Sequence, residues 1–300
     1  MSGTGSQQLA QADGRTAPLA ARSLARPVIR NSDSHMDSEV LNFHANVIAC
    51  REVFLLNFRE ELSAFDKSNV HLLNLIRVVG TDRDKAGNSH VGLLPFLMIM
   101  SRQGLNAFEA ISTYRSYQAW VSLRPSLECA LIMGKWYDDP SNAKIWSNRE
   151  KDWKAYQKAF SGKALLSKSL PGSDQIRSVL TRINDDFMHT NPRYYFRHTQ
   201  ANKLDTKNIL LQVRFNDYPA EHKAHLYAFL HLTRFLVSSL GEMFSGKFGV
   251  RQELNAALES MQDYFRPKVR RLTDSNPEAK PVLTELGLWP TSCLSDIEDG

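Results

Sequence analysis

Apolar residues recur three, four and seven positions apart through most of the stretch from Asp37 to Leu272, and a single run, NILLQVRF at 208–215, reads as a strand. This periodicity constrains the fold more than any other feature. A 3.6-residue period gives a helix one face to bury, whereas a sheet needs several segments of period two, and one isolated run cannot build it. The chain is therefore expected to be all-α, a single multi-helix bundle of roughly seven or eight helices.

Val40, Val47, Phe54 and Phe58 mark one long amphipathic helix, with Ser38 as its N-cap. NVHLLNLIRVVG follows as a shorter apolar element ending at Gly80, and TDRDKAGNSH is a polar loop. A helical pattern starts near Val91 and continues past Leu105 to Tyr137, with Pro125 expected to kink or restart it and DDPSN breaking it at Pro140. Residues 143–160 read as one helix. SLPGSD then stops the chain, Ser173 or Asp174 caps QIRSVLTRINDDFMH, and Asn191-Pro192 closes that helix. PAEHKAHLYAFLHLTRFLVSSLGEMF and RQELNAALESMQDYFRPKVRRL read as two further helices. Flanking the domain at 37–273 are a basic N-terminal tail, 1–36, and a proline-interrupted, finally acidic C-terminal tail, 274–300, both expected to be disordered. The arginines of the first tail give it some likeness to a transit peptide, but Pro18 and Pro27 break its helical continuity.

Composition excludes several classes. The formal net charge is +5, from 37 basic and 32 acidic residues, so any affinity for nucleic acid must come from local clusters. Cys50, Cys129 and Cys293 stand far apart and suit neither a disulfide scaffold nor a cysteine zinc site; a reducing, cytoplasmic setting is expected. VGLLPFLMIM, the longest apolar run, is about half of the ~20 residues that a membrane span needs. Glycine-rich phosphate loops, nucleophile elbows and dinucleotide fingerprints are missing, and no cofactor is expected. His222 and His225 have a spacing that can share a metal, but no third ligand completes a recognisable set, so none is expected.

One segment stands apart, TRINDDFMHTNPRYYFRH at 181–198. Arg182 and His189 are separated by nearly two helical turns and would share a face, about 130° from the apolar stripe of Ile176, Val179, Leu180, Ile183 and Phe187. Arginine can grip a phosphate through two hydrogen bonds and histidine can move a proton near neutral pH. Together they suit metal-independent cleavage of an RNA phosphodiester by its own 2′-hydroxyl. Asp185, on the same short helix, could equally pair with Arg182 on a solvated face. Upstream, Arg124 and Glu128 are spaced for an ion pair inside an apolar, aromatic helix. Lys144, Lys151, Lys154 and Lys158 would fall within about 80° of one another on a continuous helix, opposite Trp146, Trp153, Tyr156 and Phe160. That stripe, like RPKVRR at 266–271, could follow a phosphate backbone, with the aromatics turned to the core.

The Arg-x6-His spacing at a helix end resembles the Arg-x4–6-His motif of HEPN proteins, small all-α modules. The helix around Arg124 and Glu128 looks like the Arg-x3-Glu helix of bacterial families related to them, with DDFMHTNPRYY matching their later histidine segment at His189 and Asn184 and Asp185 as supporting polar residues. The resemblance covers about 114–243. It implies an all-α bundle, frequent homodimerisation and, in active members, an endoribonuclease acting in defence or toxin systems, with Arg182 and His189 as its catalytic pair. The other reading open to such a chain is a non-catalytic helical interaction protein that works through partner binding.

Overall fold

The computed structural model describes residues 39–81, 92–188, 199–203, 209–213, 217–248, 267–277 and 279. The chain divides into a unit Met1–Asn42, described only from Glu39, and a unit Phe43–Gly300. Among the described residues the helices are α1 (Glu39–Asn57), α2 (Arg59–Thr81), α3 (Leu94–Ser112), α4 (Ser116–Asp138), α5 (Asn142–Ser147), α6 (Trp153–Phe160), α7 (Ser173–Ile183), α8 (Pro219–Phe248) and α9 (267–275). The architecture is all-α, as the periodicity predicts, with one addition. NILLQVRF does form a strand, Ile209–Val213, and it finds a partner in Thr199–Lys203, whose TQANK sequence carries no strand signal; the two make an antiparallel hairpin pairing Thr199 with Val213.

Two helices carry the core. Helix α4 buries residues on nearly every side, Trp120, Leu123, Leu127, Leu131 and Met133 among them, and packs on α3, α7 and α8. Helix α8 is the other: its stretch from Glu221 to Phe244 is almost continuously enclosed, and it lies on α2, α3 and α4. Such all-round burial explains why neither shows a clean amphipathic stripe in sequence.

Several boundaries differ from expectation. The first long helix ends at Asn57, and α2 begins at Arg59 and runs on to Thr81, absorbing the apolar run that reads as a separate element. Phe58 bridges them, its amide bonded back to Phe54 and its carbonyl accepting from Leu62, so the helical ladder nearly continues through the joint. Downstream, the break falls at Tyr114, in the left-handed region at φ 61°, and α4 passes through Pro125 without ending. Proline removes one donor, but packing on three helices holds the segment helical. Gly172, with φ +66°, is the residue before α7; a Cβ there would lie 2.3 Å from Phe235 Cζ, so this turn needs glycine for both conformation and space.

Candidate functional site

Helix α7 lays Ile176, Val179, Leu180 and Ile183 into the core, and the buried Phe187 continues the stripe into a π-helical turn, Asn184–Met188. Both pack against α4. That placement brings Asn184 to Arg124: the arginine Nε donates to Asn184 Oδ1 at 2.5 Å, while Nη2 reaches Glu128 Oε1, one turn further along α4, at 2.7 Å. Three of the residues singled out in sequence thus form one polar link between α4 and the end of α7. The ion pair is not enclosed, as an apolar helix would suggest: the side chains of Arg124 and Glu128 are 26% and 37% exposed. Only the inner side of α4 at this level faces the core.

Arg182 is half-buried, two residues before Asn184 and directly before the buried Ile183; Asp185 is exposed. The one-face alignment of Arg182 with His189 assumes α-helical steps throughout. Between the two positions the structure has a wider i→i+5 turn at Asn184–Met188. His189 itself lies outside the described residues.

The single helix expected over 143–160 is interrupted. Helix α5 ends at Ser147, a turn spans 148–152, and α6 starts at Trp153 with Asp152 accepting from the Ala155 amide. Lys144 lies on α5, Lys151 in the turn, and Lys154 and Lys158 on α6; all four are exposed, but they do not share one helical arc. The aromatics also separate. Phe160 is buried and Trp146 packs on Phe96 and Trp136, whereas Trp153, expected in the core, is 57% exposed. The Arg149 guanidinium lies over the Trp146 ring, 4.0 Å from its centre. Of the RPKVRR run, Lys268 is committed elsewhere, bonded to Glu60 and Glu61 of α2.

A buried polar cluster joins α4 to α8, and sequence reasoning missed it. The Asp217 carboxylate accepts from the backbone amide of Ser116, at 3.0 Å, and from its hydroxyl, while the Asp217 amide donates to Tyr114 O at 2.8 Å. Asp217 therefore caps α4 from 101 residues away, where no local residue does. Trp120 Nε1 donates to His225 Nδ1 at 3.0 Å, which leaves the His225 proton on Nε2, 3.9 Å from Glu221 Oε1. His222 stacks on the Tyr114 ring at 3.8 Å between centres, with Phe54 and Phe58 edge-on. The two histidines that could share a metal by spacing are thus taken up by aromatic partners. The spacing of His222 and His225 is visible in sequence, but nothing near Ser116 announces Asp217.

Among the described residues, no group of three His, Cys, Asp or Glu side chains is placed to hold a metal ion, and no helix is long and apolar enough to cross a membrane. Compared with known proteins, the chain matches no family model, no curated protein and no solved structure.

Proposed function

We propose that the protein is a HEPN-like, RNA-binding helical protein that cuts RNA without a metal ion, in a cytoplasmic defence or toxin role and as a homodimer. The observation that supports this reading best is the Arg124–Asn184 hydrogen bond. It ties the Arg-x3-Glu helix to the segment that carries Arg182, the two parts of the chain on which the resemblance rests. The π-helical turn beside Arg182 fits too, since such turns occur frequently at functional sites.

In this mechanism Arg182 holds the scissile phosphate. His189 takes the proton of the adjacent 2′-hydroxyl, whose oxygen attacks phosphorus; the bond to the 5′ oxygen breaks, and the imidazolium returns the proton to that leaving oxygen. The products are a 2′,3′-cyclic phosphate and a free 5′-hydroxyl. Incubating the purified protein with total RNA in EDTA tests it: cleavage is expected from the wild type and lost in both Arg182→Ala and His189→Ala. RNA that is bound but left intact removes the nuclease and leaves a binding role.

A second reading has its own observation. Ile48, Leu55 and Leu56 leave 58%, 46% and 69% of their surface exposed on α1, an apolar face that suits a non-catalytic interaction protein. This reading takes over if the protein neither binds nor cuts RNA.

A further inference from the structure

The segment from α5 through the 3-10 turn Gly162–Leu165 carries six basic residues, Lys144, Arg149, Lys151, Lys154, Lys158 and Lys163, against two acids, Glu150 and Asp152. The five lysines are exposed, and Arg149 is held in the turn by its stacking on Trp146 and by a bond from Nη1 to Trp146 O. In the middle of this charge stands an aromatic ring that the core does not use. Along α6 the apolar stripe goes from buried Phe160 through half-buried Tyr156 to Trp153, 57% exposed at the first turn. The rings of Trp153 and Tyr156 lie 5.2 Å apart, and Tyr156 stacks on Phe160 at 5.3 Å, so the exposed indole is backed by a column of rings anchored in the core.

An exposed indole among lysines has a definite chemical complement. Duplex bases are already stacked on one another and offer no face, whereas a single strand offers an unstacked base to a ring and its phosphates to the cations. A purely acidic protein partner would use the lysines but would leave the indole in water. We infer that this segment is a platform for single-stranded RNA, with one base stacked on Trp153 and the flanking phosphates on Lys151, Lys154 and Lys158. The choice of RNA rests on the function proposed above; the stacking surface itself is set by Trp153 and the lysines.

The test uses the full chain and a labelled single-stranded RNA of about ten nucleotides. The probe is 2′-O-methylated so that its own 2′ oxygen cannot cut it, and affinity is read by fluorescence anisotropy. Trp153→Ala is expected to raise Kd about tenfold with Tm unchanged, and Trp153→Phe to restore most of the affinity. Lys154→Ala should flatten the dependence of log K on log salt by about 0.7, the share of one phosphate contact on a single strand. The same sequence as a duplex should bind more weakly and ignore Trp153. Wild-type binding that is indifferent to Trp153→Ala, or equal for duplex and single strand, overturns the platform while leaving RNA binding standing. Binding to single-stranded DNA alone, with the same loss in Trp153→Ala, overturns RNA as the partner. No binding to any of the three probes overturns both the platform and the RNA-binding function.

Discussion

His222 is fully enclosed, and neither ring nitrogen has a hydrogen-bond partner among the described residues. Burial, with smaller contributions from the charges of His225 and Lys223, pushes its pKa down to about 3. An unfolded histidine takes up a proton as pH falls through 6.5, but this folded one refuses it until far lower. The stability it supports is thus complete above pH 6.5 and drains away toward pH 3. His231, lowered to about 4 by burial, acts in the same direction; Asp217, raised by burial, opposes both. The contribution of His222 alone is a loss of about 3 kcal/mol between pH 7 and pH 4. Urea midpoints at those two pH values should differ less in His222→Phe, which keeps a ring against Tyr114. Arg124 gives a second prediction. Because its pair with Glu128 is part-exposed, Arg124→Ala should cost about 1–2 kcal/mol, between a solvated ion pair and an enclosed one. A double-mutant cycle with Asn184→Ala should show coupling, checked by chemical denaturation.

Among elements, α4 depends most on distant help. Its first backbone donor is satisfied by Asp217, in the segment that leads into α8, so the start of one central helix and the approach to the other are joined by one carboxylate. Asp217→Ala should lower stability by about 2 kcal/mol, and Asp217→Asn by less, because the amide oxygen can still accept from Ser116. Calorimetric Tm values for the two variants give the comparison. The element boundaries show why local signals mislead here. Pro125 reads as a kink or a restart, yet α4 runs through it, while Thr113–Arg115 has no proline or glycine and still breaks the chain. The hairpin offers a parallel case: Ile209–Val213 is legible by its β-branched and aliphatic residues, but its partner Thr199–Lys203 is defined only by pairing.

At the scale of the whole molecule, Lys268 of α9 reaches back 207 residues to Glu61, at 2.9 Å, and to Glu60, at 2.6 Å. The Glu61 side chain is nearly enclosed, 5% exposed, with Tyr227 OH of α8 3.5 Å away. Three helices meet on one buried carboxylate. Lys268→Met would strand that charge and should cost about 2–3 kcal/mol, whereas Lys268→Met with Glu61→Gln should recover much of the loss. Thermal unfolding of the single and double variants decides it.

The sequence by itself determined the helical class, the apolar stripe of α7 and the Arg124–Glu128 pair, because each follows from residues within a few turns of one another. Tertiary structure alone decided the rest. Whether Trp153 is core or surface depends on what packs against the first turn of α6, not on its period. The lysines at 144–158 lost their common arc because the chain turns at 148–152 between two short helices. The links Ser116–Asp217, Trp120–His225, Arg124–Asn184 and Lys268–Glu61 span 60 to 207 residues. Contacts that distant arise only when whole helices dock, and docking is set by the summed burial of their faces rather than by any local residue pattern.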